Sequence, residues 1–232
     1  MLKLAPFLLA IGYALLSYHF SAWRTKKMLE AQSHPLTDPE LLAMADRLAR
    51  ALDLPQIKVQ VFEVEPVNGL ATADGRIFLT RGFLNRKAQG QVSAEELASV
   101  IAHELGHLAL GHIRRRMIDF TGQNAVVVML SALFARVLPG IGVWIFRMIS
   151  GAVMARLSRR DEFEADAYAT ALLIKAGIGT GPQKSLFTKL DALTKGAGAG
   201  TPAWLLSHPG TADRIAAIEA NEARWRQAAL ER

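Results

Sequence analysis

His103-Glu104-Leu105-Gly106-His107 is the stretch on which the reading of this chain turns. Its pattern is HExxH, and on a helix two histidines four apart project from one face and can grip one Zn²⁺. Glu104, beside them, is placed to take a proton from water activated at that metal, which is the core of a metallopeptidase site. The flanking residues specify the helix. Ser93-Ala94-Glu95-Glu96 fits a capping box, with Ser93 as N-cap and Glu96 reaching back from the third helical position. Leu97, Val100, Ile101, Leu105, Leu108 and Leu110 then supply an apolar surface, so the helix is expected to be deeply packed. The plainer alternative is a buried helix with two satisfied core histidines. Burying His, Glu and His side by side without a partner is costly, and a metal resolves that cost most simply.

A zinc site of this type needs a third protein ligand and leaves a fourth position for water. A third histidine in the extended HExxHxxGxxH pattern is absent, because Leu110 stands at the glycine and Ile113 at the histidine. His112, five residues beyond His107, would lie about 140° around a continuing helix, which makes it a surface residue or a support for a ligand. The better candidate is in Ser158-Arg159-Arg160-Asp161-Glu162-Phe163-Glu164-Ala165-Asp166. Glu162 and Asp166 fall one turn apart on one helical face, with Glu164 roughly opposite. One carboxylate on the metal and a second orienting a ligating histidine through its far ring nitrogen is a pairing such sites use. Without HExxH, the same residues would read as an ordinary charged helix face.

These motifs resemble the Ste24/HtpX-type membrane-associated zinc metallopeptidases, a branch of the gluzincins. HExxH matches at His103 to His107, and the family's Glu-aromatic-x-Ala-Asp box matches Glu162 to Asp166. The resemblance implies that Glu162 is the third ligand and Asp166 its supporting partner. Asn68-Gly69-Leu70-Ala71, before Asp74 to Gly82, resembles the family's Asn-Ala-Phe-Ala segment and following strand, with Gly69-Leu70 in place of Ala-Phe. Ser207-His208-Pro209-Gly210-Thr211-Ala212-Asp213-Arg214-Ile215 resembles its C-terminal His-Pro box. Together the matches span roughly residues 38 to 220. By resemblance, Asn68, Gly69, Leu70 and Ala71 line the substrate cleft, His208 hydrogen-bonds the developing oxyanion, and Arg214 fixes that loop or a cleft carboxylate.

Some of this stands on the residues alone. Val59, Val61 and Val64 form a β-rich run and Ile77-Phe78-Leu79 another, with Asp74-Gly75 as a turn signal between them. A hairpin with an exposed outer strand can pair with an extended peptide, although a plain structural hairpin has the same signature. His208 alone would read as a loop histidine before a helix capped by Thr211.

The second large feature is apolar. Leu4 to Trp23 carries no charged residue and is long enough to cross a bilayer as a helix. No convincing small-x-small cleavage site follows, so an uncleaved anchor is favoured over a secretory signal. Arg24, Lys26 and Lys27 follow it, against Lys3 and the amino terminus before it. The positive-inside rule then puts the body on the cytoplasmic side, as in a bacterial inner membrane, by a margin small enough to leave a periplasmic body open. A further apolar stretch, 118–157, breaks at Pro139-Gly140 and is flanked by Arg114 to Arg116 and by Arg156, Arg159 and Arg160. It reads as a helical hairpin that spans the membrane or packs without spanning, since Arg136 and Arg147 interrupt its arms. The expected organisation is an anchor over 1–27 and a metalloprotease domain over 28–232 with 118–157 inserted.

Composition agrees. The chain has 232 residues, is 51% hydrophobic and carries a formal charge of +6, which suits one modest core beside an anionic leaflet. No aromatic-basic platform or recognition motif points to nucleic acid. There is no cysteine, so the metal cannot use thiolates and no disulfide framework exists. The Gly-Ala stretch Lys195 to Thr201 reads as a flexible connector before the His208 loop.

The expected fold is α+β, mostly helical: a zincin-like metalloprotease core with a small β-sheet, an N-terminal transmembrane helix and an apolar helical hairpin. In the expected chemistry His103, His107 and Glu162 hold one Zn²⁺ per chain, Glu104 is the general base and His208 assists at the oxyanion. Polypeptides, membrane-associated or misfolded, are the expected substrates, and membrane lipid the other partner. The rival is a catalytically latent, membrane-tethered zinc protein acting as a binding or chaperone-like module, against which the intact Glu104 argues.

Overall fold

The computed structural model describes residues 5–113, 115, 142–195, 208 and 211–230. The chain divides into two compact units, Met1–Ala31 with His112–Ser158, and Gln32–Gly111 with Arg159–Arg232. The described residues are mostly helical, with one small mixed sheet.

The larger unit starts with β1 (Ser33–Pro35) and α2 (Pro39–Ala51), after the helix α1 (Ala5–Ala31) of the smaller one. Asp38 caps α2 by accepting a hydrogen bond from the Leu41 amide at 3.0 Å, and Pro39 fills the first helical position, where no amide is needed. Leu41, Ala45 and Leu48, at helical spacing, are buried. The sheet adds β2 (Lys58–Phe62), β3 (Gly69–Ala71) and β4 (Arg76–Thr80) in the order β1-β2-β4-β3. Only β2 and β4 run parallel, from Lys58 opposite Arg76 to Phe62 opposite Thr80. Ile77, Phe78 and Leu79 are completely buried, as the unbroken apolar run of a strand covered on both faces should be.

The sequence reading made the Val59 and Ile77 runs the arms of one hairpin, and the sheet corrects it. They are parallel neighbours, so residues 63–75 must cross back, and that crossover supplies β3. The Asp74-Gly75 turn, with Gly75 at φ +85°, joins β3 to β4 instead. β3 is therefore one of the two edge strands, β1 being the other, and it carries residues 69–71 of the Asn68 to Ala71 segment. β4 contains the expected Ile77-Phe78-Leu79 run and ends at Thr80, where α3 (Arg81–Ala88) begins.

Helix α4 (Ala94–Ala109) packs on α2 and β3, and α6 (Gly181–Lys195) covers it and meets α7 (Thr211–Leu230). The chain leaves α4 before Gly111, which adopts φ +70°. The helical projection therefore does not extend to His112, which is buried rather than at the surface. From Gly142 the backbone is one helix, α5 (Gly142–Lys175), whose part from Arg159 onward belongs to the larger unit.

In the smaller unit α1 runs past the basic cluster to Ala31, exposing Tyr13, Leu16, Phe20 and Trp23, with the Lys27 ammonium 4.8 Å from the Trp23 ring centre. Among the described residues no helix is long and apolar enough to cross a membrane. Much of the expected hairpin, 116–141 with Pro139-Gly140 and Arg136, lies outside the described residues, and 142–156 is described only as backbone. Residues 196–207, which hold most of the Gly-Ala connector, lie outside them as well.

Candidate metal centre

Helix α4 is fixed at its start by the capping box. The Ser93 hydroxyl accepts from the Glu96 amide at 3.2 Å, and the Glu96 carboxylate accepts from the Ser93 amide at 2.8 Å. Glu96 also accepts from Ser185 at 2.6 Å and Lys189 at 2.8 Å, both on α6. Every residue of α4 from Ala94 to His107 except Glu95 is buried, so His103, Glu104 and His107 have only 1–3% of their surface exposed.

One glycine lets α5 come alongside. A Cβ on Gly106 would stand 2.9 Å from the Ala165 carbonyl oxygen and 3.0 Å from the Ala165 Cα. Contacts between small residues bring the two helices together between Glu162 and Asp166, one turn apart on α5. Both carboxylates are buried, at 0% and 2% exposure, whereas Glu164 is half-buried and pairs with Arg160 at 2.8 Å.

Four residues converge there. His103, His107, Glu162 and His208 each offer one ligand atom, all within 4.8 Å of one another. The Nε2 atoms of His103 and His107 are 3.1 Å apart. The Glu162 oxygens lie 3.4 Å from the first and 3.5 Å from the second. His208 enters from the C-terminal side, its Nδ1 2.5 Å from Glu162 and its Nε2 3.7 Å from Glu104. The sequence reading placed His208 in the cleft, and the structure sets its ring among the expected ligands themselves.

Asp166 and Arg214 close the set from behind. Asp166 lies 2.9 Å from Nδ1 of His103, the ring nitrogen turned away from His107. Arg214 grips Asp166 with two prongs, Nε to Oδ2 at 2.5 Å and Nη2 to Oδ1 at 2.7 Å, and donates to the His208 carbonyl at 3.0 Å. Its guanidinium lies 4.5 Å above the Phe187 ring. Thr170 donates to the Asp166 carbonyl oxygen at 2.7 Å and lies 2.9 Å from Gln183. Phe187, Thr170 and Gln183 carry no sequence signal, because only the tertiary approach of α6 gives them a role.

These residues fit a divalent metal on two counts. Imidazole nitrogens and a carboxylate oxygen are the donors Zn²⁺ takes where no thiolate exists. Among the described residues, three buried carboxylates, Glu104, Glu162 and Asp166, gather beside one buried guanidinium, Arg214, a local excess of carboxylate that a divalent cation would help to offset. The electrostatics agree. Burial opposes charge on His103, but hydrogen bonds with Asp166 and Glu162 outweigh it and raise its pKa to about 9. Burial would raise the Glu162 carboxyl, yet hydrogen bonds with His103 and His208 hold it well below the usual carboxylate range. Burial dominates at His208 and lowers it to about 4. The site therefore draws a cation toward His103, and a proton and a metal compete for the same nitrogens.

Beside the cluster, Gly69 of β3 sits where its missing Cβ would be 3.7 Å from the Glu104 carboxylate. The register of β3 on β4 fixes which backbone groups face outward. The amides of Thr72 and Thr80 donate to the carbonyls of Arg76 and Asn68, so the even-numbered residues bond inward. Gly69 and Ala71 then turn theirs to the side of β3 that no described strand pairs with, where the Gly69 amide donates to the Asn68 side chain at 3.0 Å.

The chain is similar to known proteins in both sequence and fold. Residues 35–222 match Peptidase family M48. The Escherichia coli metalloprotease LoiP is 29% identical over 174 residues, 75% of this chain and 66% of its own. A protease HtpX homologue of Chlorobium phaeovibrioides is 28% identical over 237 residues, 88% of this chain and 79% of its own. In fold the chain is similar to S. mikatae Ste24p, with a TM-score of 0.61 at 20% identity, over 91% of this chain and 58% of that one. On a family match that takes in HExxH, both carboxylates and the His208 segment, this chain belongs to peptidase family M48, and it is a metallopeptidase whose cofactor is zinc.

Proposed function

We propose that this protein is a membrane-tethered endopeptidase that cleaves membrane-associated or misfolded polypeptides. The observation that carries the reading is the buried convergence of His103, His107 and Glu162 with Glu104 alongside and an open strand edge next to it. His103, His107 and Glu162 would hold the zinc, and Asp166 fixes the ring of His103 through Nδ1. Bound zinc supplies Lewis acidity, polarising the scissile carbonyl and acidifying water. Glu104 takes a proton from the attacking water and returns it to the amine as the C–N bond breaks. His208, with Nδ1 engaged by Glu162, has Nε2 on the Glu104 side and donates to the carbonyl oxygen as negative charge builds there. An extended substrate lies along β3, held by the outward groups of Gly69 and Ala71, which read backbone and ask little of sequence.

Removing the metal tests this. Treating the purified protein with a zinc chelator is expected to stop casein cleavage, and adding back one equivalent of Zn²⁺ to restore it. Cleavage that persists in the metal-free protein would overturn the reading.

The tether is α1. Its exposed aromatic and aliphatic side chains, with Lys27 over Trp23 and Arg24 adjoining, support an apolar segment with its basic end at the cytoplasmic headgroups. The protein is expected to stay with membranes through alkaline carbonate extraction. Release into the supernatant would argue against the tether.

A further inference from the structure

Strand β3 packs against α4 at Gly69. A Cβ there would stand 2.6 Å from Val100 Cγ1, a separation that carbon atoms do not adopt, so the strand rests on the helix only because this position has no side chain. Val100 cannot move aside cheaply. It is 1% exposed and β-branched, and such side chains keep one strongly preferred rotamer in a helix. It also lies one turn before Glu104 on the same face of α4, so the residue that stops the strand and the carboxylate beside it share one surface. The strand is tied to β4 by a clamp at Asn68. Its amide donates to the Thr80 hydroxyl at 2.9 Å, and its carbonyl accepts from the Thr80 amide at 3.1 Å. A methyl group at position 69 would therefore lift the edge as a unit, Ala71 included, rather than bend one residue.

We propose that Gly69 and Val100 are a matched pair of positioning residues that set the gap between the β3 edge and the Glu104 carboxylate. The pair fixes how far a strand-bound peptide carbonyl stands from the general base, and in that it rests on the peptidase reading above. A misplacement of about 1 Å can cost on the order of 100-fold in rate, so the pair should be read in kcat.

The test is a cycle of four full-length proteins: wild type, Gly69→Ala, Val100→Ala and the double variant. For each, kcat and KM are measured on a quenched-fluorescence peptide, together with bound zinc and the unfolding temperature. Gly69→Ala should lower kcat by roughly 10- to 100-fold, change KM less, and keep one zinc per chain. Adding Val100→Ala makes room for the methyl and should restore most of that loss, while Val100→Ala in the wild-type background can only lower the rate. Wild-type kcat in Gly69→Ala, even with a lower unfolding temperature, would overturn the proposal by showing the contact to be structural. A double variant no faster than Gly69→Ala would overturn it too. Failure of the peptidase reading is distinguishable, because then the zinc-loaded wild type is itself silent, and the proposal falls with it.

Discussion

Asp166 touches no bond that is to be broken, yet both His103 and Arg214 are held by it. It holds the far nitrogen of His103, so the near nitrogen is presented to His107 and Glu162, and it anchors Arg214, which holds the His208 carbonyl. Asp166→Asn keeps the shape and removes the charge. Its zinc dissociation constant, measured by chelator competition, should rise about 10- to 100-fold, the usual cost of losing such a partner. An unchanged constant would show that His103 needs no orienting group. Asp166 was legible only beside HExxH and the family resemblance, since a carboxylate one turn from Glu162 otherwise reads as part of a charged helix face. Phe187 and Val100 were not, since a phenylalanine below a guanidinium and a valine against a glycine look like any other core residues until the elements meet.

The elements were legible where local chemistry specifies them. Ser93 with Glu96 marks the start of α4. The sheet was harder, because Val59 and Ile77 carry β-propensity but nothing local says whether their strands run parallel. Helix packing was harder still. Glycine inside a helix costs about 1 kcal/mol relative to alanine, but overpacking a tight crossing costs about 1–3 kcal/mol, so at Gly106 the close approach to Ala165 wins. Glu96 does two tasks, capping α4 and binding Ser185 and Lys189 of α6. Burial would raise its pKa from 4.5, but hydrogen bonds with Lys189, Ser185 and the Ser93 amide lower it on balance. A carboxyl whose folded pKa lies below its unfolded value stabilises fully above the unfolded value and loses that contribution as pH falls through the folded one. Glu96→Gln should therefore cost about 1–3 kcal/mol in urea unfolding at pH 7, a deficit that shrinks on acidification below pH 4.5. A deficit independent of pH would mean that the charge on Glu96 contributes nothing.

At the scale of the whole molecule, the larger unit buries a cluster of carboxylates and imidazoles, and the smaller one carries a helix with exposed aromatic and aliphatic side chains. The first was legible from HExxH and the Glu162 box, because metal chemistry restricts donor type and spacing. The second was legible only as an apolar run, since hydropathy alone does not say what a helix rests against. Both serve one claim, that a buried metal site with its own general base hydrolyses peptide bonds. The most direct test is casein cleavage by the zinc-loaded Glu104→Gln protein beside the wild type, with bound zinc measured in each. Both proteins should hold one zinc per chain, and the variant should be slower by about 100- to 10,000-fold, the range expected for a lost general base. A Glu104→Gln protein that holds its zinc and cleaves at the wild-type rate would contradict the account.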